Sequence, residues 1–277
     1  MQFDPAAVRA FEHAGWQQAA AAYDATFAPA TTPFVEALLD AAGVAPGTRV
    51  LDLCCGTGVV AAAAAARGAR PIGLDFSAAM LAEARKTHPQ LQSQLQFDQS
   101  DAEALPYPDG SFAAVVSNFG VHHLPSPQKA VAEASRVLSP GGRIAFTTWA
   151  APAENIAWRL LFDAIRDHGD PYAAKTPPSG GDLGTTEAVP RLLREAGFAN
   201  VRAEPIRREW LVADPRGLLA ALARGTVRTA ALIAAQPAAA RPAIEAAMAR
   251  AAAPYRTADG FAVPIVAILA CGTKPPE

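Results

Sequence analysis

The sequence has few cysteines, and their positions argue against a disulfide framework. Only Cys54, Cys55 and Cys271 occur in 277 residues, and the first two are neighbours in an apolar segment. Because adjacent residues of a strand point to opposite faces, we expect these two to be unbridged thiols. Such cysteine usage is typical of a reducing compartment, so the sequence predicts a cytoplasmic protein. No set of Cys and His residues has the spacing of a metal site.

Long apolar runs and an excess of positive charge are also missing. The longest apolar run, Val59–Ala66, is far shorter than the roughly 18–20 residues that span a bilayer. Residues 1–4 lack the positive and apolar stretches of a secretion signal. Lys and Arg total 24 against 26 for Asp and Glu, a formal net charge of −2. Because nucleic-acid phosphates and anionic membranes attract clustered positive charge, we expect neither as a partner.

The composition supports a folded core. Hydrophobic types make up 51% of the residues and charged types 18%, a balance too apolar for a disordered chain. From about residue 34 to 149, short β-type runs alternate with helical stretches. The predicted strands are Val50–Cys54, Pro71–Asp75, Leu95–Ser100, Phe112–Asn118 and Arg143–Thr148. The predicted helices are Pro33–Ala42, Val59–Arg67, Ala78–Lys86 and Pro127–Leu138. This alternation predicts an α/β fold with a mostly parallel sheet covered on both faces.

Beyond Trp149 the pattern changes to helical blocks separated by single strands. We expect helices near Asn155–His168, at Thr186–Ala196 and in an alanine-rich block at about 215–253, with strands near Val201–Leu211 and at Val263–Ala270. The prediction is a single domain over residues 1–277, with its core at about 33–150, 185–212 and 261–273. Two insertions, at about 150–184 and 213–256, are expected to form a helical cap, and residues 5–28 an N-terminal lid helix.

A glycine-containing turn follows the first predicted strand, in the stretch VLDLCCGTG at residues 50–58. Gly56 and Gly58 allow the backbone to turn sharply and to approach a ligand closely. Together with Ala61, and with Asp75 about 20 residues further on, they also fit the GxGxx(G/A) pattern of dinucleotide dehydrogenases. The turn by itself leaves a dinucleotide oxidoreductase open as an alternative.

Acidic residues near three successive strand ends favour a different cofactor. Asp52 lies inside the first strand, where a carboxylate would repel a pyrophosphate but suit an ammonium group. Asp75 ends the second strand, where it can accept hydrogen bonds from both ribose hydroxyls. Asp101 follows the third strand, where it can accept a hydrogen bond from an adenine amino group. These positions favour a nucleoside with an amino-acid tail over a diphosphate.

These residues belong to a longer series of motifs that resembles one known family. The series comprises LDLCCGTG at 51–58, GLDFS at 73–77 with Met80 and Leu81, DAEALP at 101–106, NFGVHH at 118–123 and RVLSPGGR at 136–143. Over about residues 45–150 the chain resembles class I S-adenosylmethionine (SAM)-dependent methyltransferases of the ubiquinone/menaquinone type. The resemblance implies a Rossmann-like sheet of seven strands in the order 3-2-1-4-5-7-6, with the last strand antiparallel. It also implies SAM as the cofactor.

The resemblance assigns the methionine part of the cofactor to the glycine turn. Gly56, Thr57 and Gly58 would hold this part, and Asp52 would lie toward its amino group. Cys54 stands where the family usually has the first glycine of GxGxG. We expect this small side chain to crowd the cofactor slightly without abolishing the site.

The nucleoside contacts follow from the next two motifs. By the resemblance, Asp75 would bind the ribose and Phe76 would pack beside the adenosine. Asp101 and Ala102 would fix the adenine edge, the alanine through its backbone. No metal is implied.

Residues at two further positions complete the predicted site. Asn118 would meet the methionyl end, and Tyr23 resembles the lid tyrosine that often closes over the cofactor. His122 and His123 follow the fourth strand, near the expected methyl position. One of them is a candidate catalytic base, because histidine has an ordinary pKa of about 6.5 and suits proton transfer.

The sequence thus predicts methyl transfer from SAM to a small-molecule acceptor by in-line displacement, which depends mainly on alignment of the reacting atoms. Trp149, Trp158, Phe162 and Tyr172 are candidates for lining the acceptor pocket. Besides the oxidoreductase, a SAM-fold protein without transferase activity remains an alternative, because methyl transfer needs few obligatory catalytic residues.

Overall fold

A single sheet forms the centre of the computed structural model, which describes residues 3–91, 94–178 and 183–276. The strands run in the order β3-β2-β1-β4-β5-β8-β6, and β7 pairs with β8. Strands β1 to β5 pair in parallel, whereas β8 is antiparallel to both of its long neighbours, β5 and β6. The bounds are β1 Arg49–Leu53, β2 Arg70–Asp75, β3 Gln96–Gln99, β4 Phe112–Asn118, β5 Leu138–Trp149, β6 Ala199–Val212, β7 Arg256–Thr257 and β8 Gly260–Thr273.

The predicted fold class is confirmed, with one strand more than expected. The seven long strands take the predicted order, and β8 is the antiparallel one. The additional strand, Arg256–Thr257, begins at the last residue of the predicted second insertion and forms a short hairpin against Gly260 and Phe261. Strand β5 begins at Leu138 rather than at Arg143, because Leu138 already pairs with Phe112 and a register shift absorbs the residues between.

Eleven α-helices are present in the described residues, and several lie close to their predicted bounds. They are α1 Pro5–Thr26, α2 Ala28–Thr31, α3 Val35–Ala41, α4 Val59–Ala66, α5 Ala78–Thr87, α6 Pro127–Val137, α7 Ile156–His168, α8 Ala188–Glu195, α9 Pro215–Gly225, α10 Arg228–Ala234 and α11 Arg241–Ala251. Helix α7 falls in the first predicted insertion and α9 to α11 in the second. Residues 179–182 of the first insertion lie outside the described residues, and the cap itself stays a prediction.

The central strands of the sheet are buried on both faces, which explains their apolar sequences. Along β1, Leu51 and Leu53 pack in a cluster with side chains of α6 and α8, whereas Val50 packs with side chains of α3 and α4. Alternate residues of one strand therefore meet different helix layers. Such a strand needs apolar residues at nearly every position.

Helix α1 begins on the cap formed by Asp4, whose Oδ1 accepts from the N–H of Ala6 at 2.9 Å. It then passes over the carboxyl ends of the parallel strands, with contacts to the residues that follow β2 and β3. A third cluster of aromatic residues lies beside it, in which Phe27 meets Trp149, Trp158 and Trp210 edge to face. The carboxyl edge of the sheet is therefore covered, and this is where ligands bind in open α/β folds.

Within the described residues, no single helix has the length and apolar character needed to cross a membrane. Helices α9 and α10 pass that test only when taken together, on length and composition alone, and they are bent by 112° at their junction.

Candidate functional site

The main cleft lies between helix α1 and the carboxyl ends of the parallel strands. It encloses about 740 Å³, its open mouth included, which is within the range of small-molecule sites. Eight of the predicted cofactor residues line it, and so does His123. The eight are Tyr23, Cys54, Gly56, Asp75, Phe76, Asp101, Ala102 and Asn118. The sequence-predicted residues therefore converge on one cleft, apart from Asp52, Thr57, Gly58 and His122.

The turn after β1 owes its shape to left-handed backbone at Cys54, Gly56 and Gly58, with φ of 59°, 54° and 82°. A Cβ atom on Gly56 would meet no atom within 4 Å, so its surface is open to the cleft. A Cβ on Gly58 would lie 2.8 Å from the ring of Phe97. The packing behind the turn therefore requires glycine at position 58. Cys54 is the residue of this turn that is left-handed without being glycine, so the backbone strain lies there.

Asp52 lies behind the turn rather than on the wall of the cleft. Its side chain is 1% exposed, and Oδ2 accepts from the N–H of Ala61 in the first turn of α4, at 3.0 Å. Oδ1 is buried without a hydrogen-bond partner. Burial raises the pKa of Asp52 to about 8, because a low-dielectric interior disfavours the charged form. In this position it fixes the helix that follows the turn, and its contact with the cofactor amino group stays a prediction.

Asp75 reaches the cleft and also holds the turn. Its Oδ2 accepts from the N–H of Gly56 at 2.9 Å, and its Oδ1 accepts from the N–H of Ser77 at 2.8 Å. Burial raises the pKa of Asp75 to about 6, although these backbone donors lower it. Each carboxylate oxygen has a second lone pair, so Asp75 retains the capacity to accept from ligand hydroxyls.

Helix α1 is fastened over the cleft by polar side chains along its length. Arg9 pairs with Asp101 at 3.1 Å and with Glu103 at 2.8 Å. Gln17 Oε1 accepts from Ser77 Oγ at 2.6 Å and from the N–H of Ala79 at 2.8 Å. These contacts tie the middle and start of the helix to the loops after β2 and β3.

The end of helix α1 reaches the glycine turn. Asp24 accepts from Thr57 Oγ1 at 2.5 Å and from Thr87 Oγ1 at 2.8 Å. Thr57 is therefore turned toward helix α1, and it does not line the cleft. Its predicted role in holding the methionine part stays a prediction.

Asn118 and Tyr23 lie in the part of the cleft that adjoins Thr31. Asn118 Nδ2 donates to the carbonyl of Thr31 at 3.1 Å, and Asn118 Oδ1 accepts from Thr147 Oγ1 at 2.7 Å. The hydroxyl of Tyr23 lies 3.4 Å from Thr31 Oγ1, and burial raises the pKa of Tyr23 to about 12. Tyr23 is therefore neutral, and both side chains are held in place by the segment around Thr31.

The two histidines differ in their surroundings. Both lie in a short 3-10 turn at Val121–His123. The imidazole of His122 is buried, which lowers its pKa well below the ordinary value, and its Nδ1 has no hydrogen-bond partner. His123 Nδ1 also has no well-aligned hydrogen-bond partner, but it lies 3.1 Å from Glu12 Oε2, within the distance of an ion pair when the imidazole is protonated. Of the two histidines, only His123 lines the main cleft.

A second cavity adjoins the main cleft at His123, which lines both. It encloses about 820 Å³, and its walls include Trp149, Trp158 and Phe162, three of the candidate pocket aromatics. Tyr172, the fourth, is 88% exposed and lies outside it. The arrangement offers two neighbouring chambers with one titratable side chain between them.

Comparison with known proteins identifies the family. A sequence model described as a methyltransferase domain matches residues 51–146. Over 171 residues the chain is 35% identical to a demethylmenaquinone methyltransferase of Clavibacter sepedonicus, covering 57% of this chain and 69% of that relative. The chain belongs to the class I SAM-dependent methyltransferases. SAM is the cofactor of this family, which decides against the dinucleotide class that the glycine turn left open.

Several other curated relatives match over less of their length. The chain spans about half the length of several curated relatives, among them an uncharacterized protein of Mycobacterium tuberculosis, 36% identical over 147 residues and matched over 53% of each chain. The crystal structure of the YcgJ protein from Bacillus subtilis superposes with a TM-score of 0.57 at 21% identity, covering 88% of this chain and 98% of the other. That likeness shows the shared fold.

Motif reasoning missed the residues that helix α1 brings to the methyltransferase cleft. Arg9, Glu12 and Trp16 line it, yet no local pattern separates them from the other side chains of an amphipathic helix. Arg228 of α10, which donates from Nε to Glu12 Oε1 at 2.7 Å, was missed for the same reason. Glu12 stands between Phe11 and His13 in the sequence, and its burial against Arg228 depends on long-range packing that no local pattern shows.

Proposed function

We propose that this chain transfers a methyl group from SAM to a small-molecule acceptor by in-line displacement. The observation that carries the proposal is the pair of adjoining cavities, one lined by the family's cofactor motifs and the other by aromatic side chains. When bound, SAM supplies a methyl group on a positively charged sulfur. The protein contributes alignment of the two molecules, which accounts for a large share of the rate in such displacements.

The main cleft fits the cofactor by its shape and donor set. The open surface of Gly56 leaves room for a close backbone approach, and Asp75 has free lone pairs for the ribose hydroxyls. Phe76 would pack on the adenosine, while Asp101 and the backbone of Ala102 would receive the adenine edge. Tyr23 and Asn118 would enclose the methionyl end.

The second cavity would take the acceptor. Trp149, Trp158 and Phe162 present ring faces and edges, which favour a planar, largely apolar molecule. Helices α7 and α9 to α11 would form the cap, which excludes water from the reacting atoms. The three cysteines are free thiols, which supports a role in small-molecule metabolism in the cytoplasm.

Binding calorimetry with S-adenosylhomocysteine (SAH) tests the cofactor assignment. We expect saturable binding, and Asp101→Asn is expected to weaken it about tenfold through loss of a charge-assisted hydrogen bond. Asp109→Asn, in an exposed turn outside the cleft, is the matched control and should bind as the unmodified chain does. Absence of any binding below about 1 mM SAH would contradict the proposal.

Methyl transfer is tested separately with methyl-labelled SAM. Because a relative carries the name demethylmenaquinone methyltransferase, reduced demethylmenaquinone is the first acceptor, followed by simple phenols and amines. We expect label to appear in an extracted acceptor. Tight SAH binding with no transfer to any acceptor would instead favour a SAM-fold protein without transferase activity.

A further inference from the structure

Glu12 is a buried carboxylate held between two basic side chains from distant parts of the chain. It lies on α1, is 1% exposed, and accepts from Arg228 Nε of α10 at 2.7 Å through Oε1. Its other oxygen, Oε2, lies 3.1 Å from His123 Nδ1 of the turn after β4, within ion-pair distance, although the two atoms are not aligned as a hydrogen bond. Burial opposes ionisation of Glu12, but His123 and Arg228 outweigh it and hold its pKa below the usual value.

A single structural ion pair would not need this arrangement. Arg228 alone satisfies Oε1 and also donates from Nη1 to the carbonyl of Pro177 at 2.7 Å. Oε2 is left for the imidazole, and Trp16 packs edge-on against that ring at 5.0 Å between centroids. The ring of His123 is therefore packed between Trp16 and the Glu12 carboxylate.

Other charged groups near His123 do not compete for its Nδ1. His122 lies beside it with ring centroids 4.2 Å apart, but burial keeps His122 neutral. Arg9 and Asp101 line the same cleft, where they pair with each other at 3.1 Å. Glu12 is thus the carboxylate that faces the imidazole.

We infer that His123 is the base that takes the acceptor's proton, and that Glu12, anchored by Arg228, is the positioning residue that orients it. This inference rests on the proposed function. A small rotation of the ring would align Nδ1–H with the Glu12 carboxylate, and Nε2 would then be the proton acceptor of the imidazole. Because His123 lines both cavities, it lies where an acceptor and the cofactor would meet.

In the proposed step the acceptor loses a proton as it gains the methyl group. An O–H or N–H proton of the acceptor moves to His123 Nε2 while the acceptor atom bonds to the methyl carbon. The methyl–sulfur bond breaks, its electron pair stays on sulfur, and a neutral thioether is released. The imidazolium, which is stabilised by the Glu12 carboxylate, later loses its proton to water.

Helix α1 links the proposed base, His123, to the enclosure of the cleft. Glu12 shares α1 with Arg9, Gln17 and Asp24, which fasten that helix over the cofactor side. The contact between Glu12 and His123 exists only while helix α1 lies over the cleft. Proton transfer would therefore be supported after the cofactor is enclosed.

Nitrogen-15 NMR of the histidine rings tests the proposed roles of His123 and Glu12 without knowledge of the acceptor. The full-length chain, saturated with SAH, would be studied by long-range proton–nitrogen correlation, with His123→Gln used to identify its signals among the five histidines. We expect His123 to be the Nδ1–H tautomer when neutral. In Glu12→Gln we expect a shift toward the Nε2–H tautomer that dominates in free histidine.

Glu195→Gln, at an exposed carboxylate on α8 that lines neither cavity, is the matched control and should keep the Nδ1–H tautomer. An Nε2–H tautomer in the unmodified chain would overturn the inference, and so would a spectrum that Glu12→Gln leaves unchanged. The measurement on the unmodified chain decides the matter even if Glu12→Gln does not fold. Failure of SAH to bind would count against the proposed function, whereas SAH binding with the wrong tautomer counts against this inference alone.

Discussion

Replacement of Asp52 by Asn is the sharpest test of how the site is built. In the folded chain burial raises the pKa of Asp52 to about 8, whereas an unfolded chain has an ordinary value near 4. Between those two values the native state binds more protons than the unfolded state. Stability must therefore fall as pH rises from about 4 to about 8, and the loss is complete above the folded pKa.

The size of the effect follows from the width of that window. Each pH unit is worth about 1.4 kcal/mol, so a window from about 4 to about 8 corresponds to about 5 kcal/mol as an upper bound. Interiors relax around a new charge, so we expect Asp52→Asn to raise the free energy of unfolding by about 2–5 kcal/mol at pH 9. Near pH 4, where Asp52 is protonated in the folded state and about half protonated in the unfolded state, the amide replaces a neutral acid and stability should change little.

Urea unfolding between pH 4 and 9 measures this, with Asp109→Asn as the exposed control. The variant should keep a slope between about pH 4 and 6, because burial raises the pKa of Asp75 to about 6 as well. Parallel pH curves for the variant and the unmodified chain would refute the reasoning. SAH affinity should stay within about threefold, since Asp52 does not line the cleft; a large loss would instead indicate contact with the cofactor.

Further predictions concern the turn and helix α1. Gly58→Ala should lower stability to urea by about 1–3 kcal/mol, because its φ of 82° is left-handed and its Cβ would meet Phe97. Cys54→Gly should raise stability by about 1 kcal/mol in the same assay, by relieving strain at φ of 59°. Asp24→Ala should speed SAH release in stopped-flow about tenfold, because Thr57 and Thr87 lose their acceptor and α1 its tie to the turn.

The sheet was predictable because its signals are local. Strands such as Phe112–Asn118 are short apolar runs bounded by turn residues, and β4 has the predicted bounds. Boundaries failed where pairing rather than composition decides them: β5 starts at Leu138 because Phe112 lies opposite. Hairpin strand β7 is two residues long, too short for any periodicity to indicate.

The site was predictable where a residue sits at a strand end, since the topology alone brings Asp75 and Asp101 to one cleft. Asp52 shows the limit of that reasoning. Its position in the motif predicts a contact with the cofactor amino group, which stays a prediction, but nothing in the motif indicates the backbone donor that its carboxylate finds at the start of α4. Such a choice depends on the local packing, which a sequence pattern does not specify.

Different parts of the chain would serve the cofactor and the acceptor. The family match covers residues 51–146, which contain the strand ends predicted to contact the cofactor, whereas Glu12 and Arg228 lie outside it. A nucleoside is the same for every member, so its site can be encoded in short motifs at fixed strand ends. The acceptor approaches the methyl group from the side opposite the sulfur. Its proton must therefore be removed by a side chain that packs over the sheet. Side chains of α1 and α10 are therefore the place where this chain's own acceptor chemistry would be set, and helix α1 joins that chemistry to the enclosure of the cofactor.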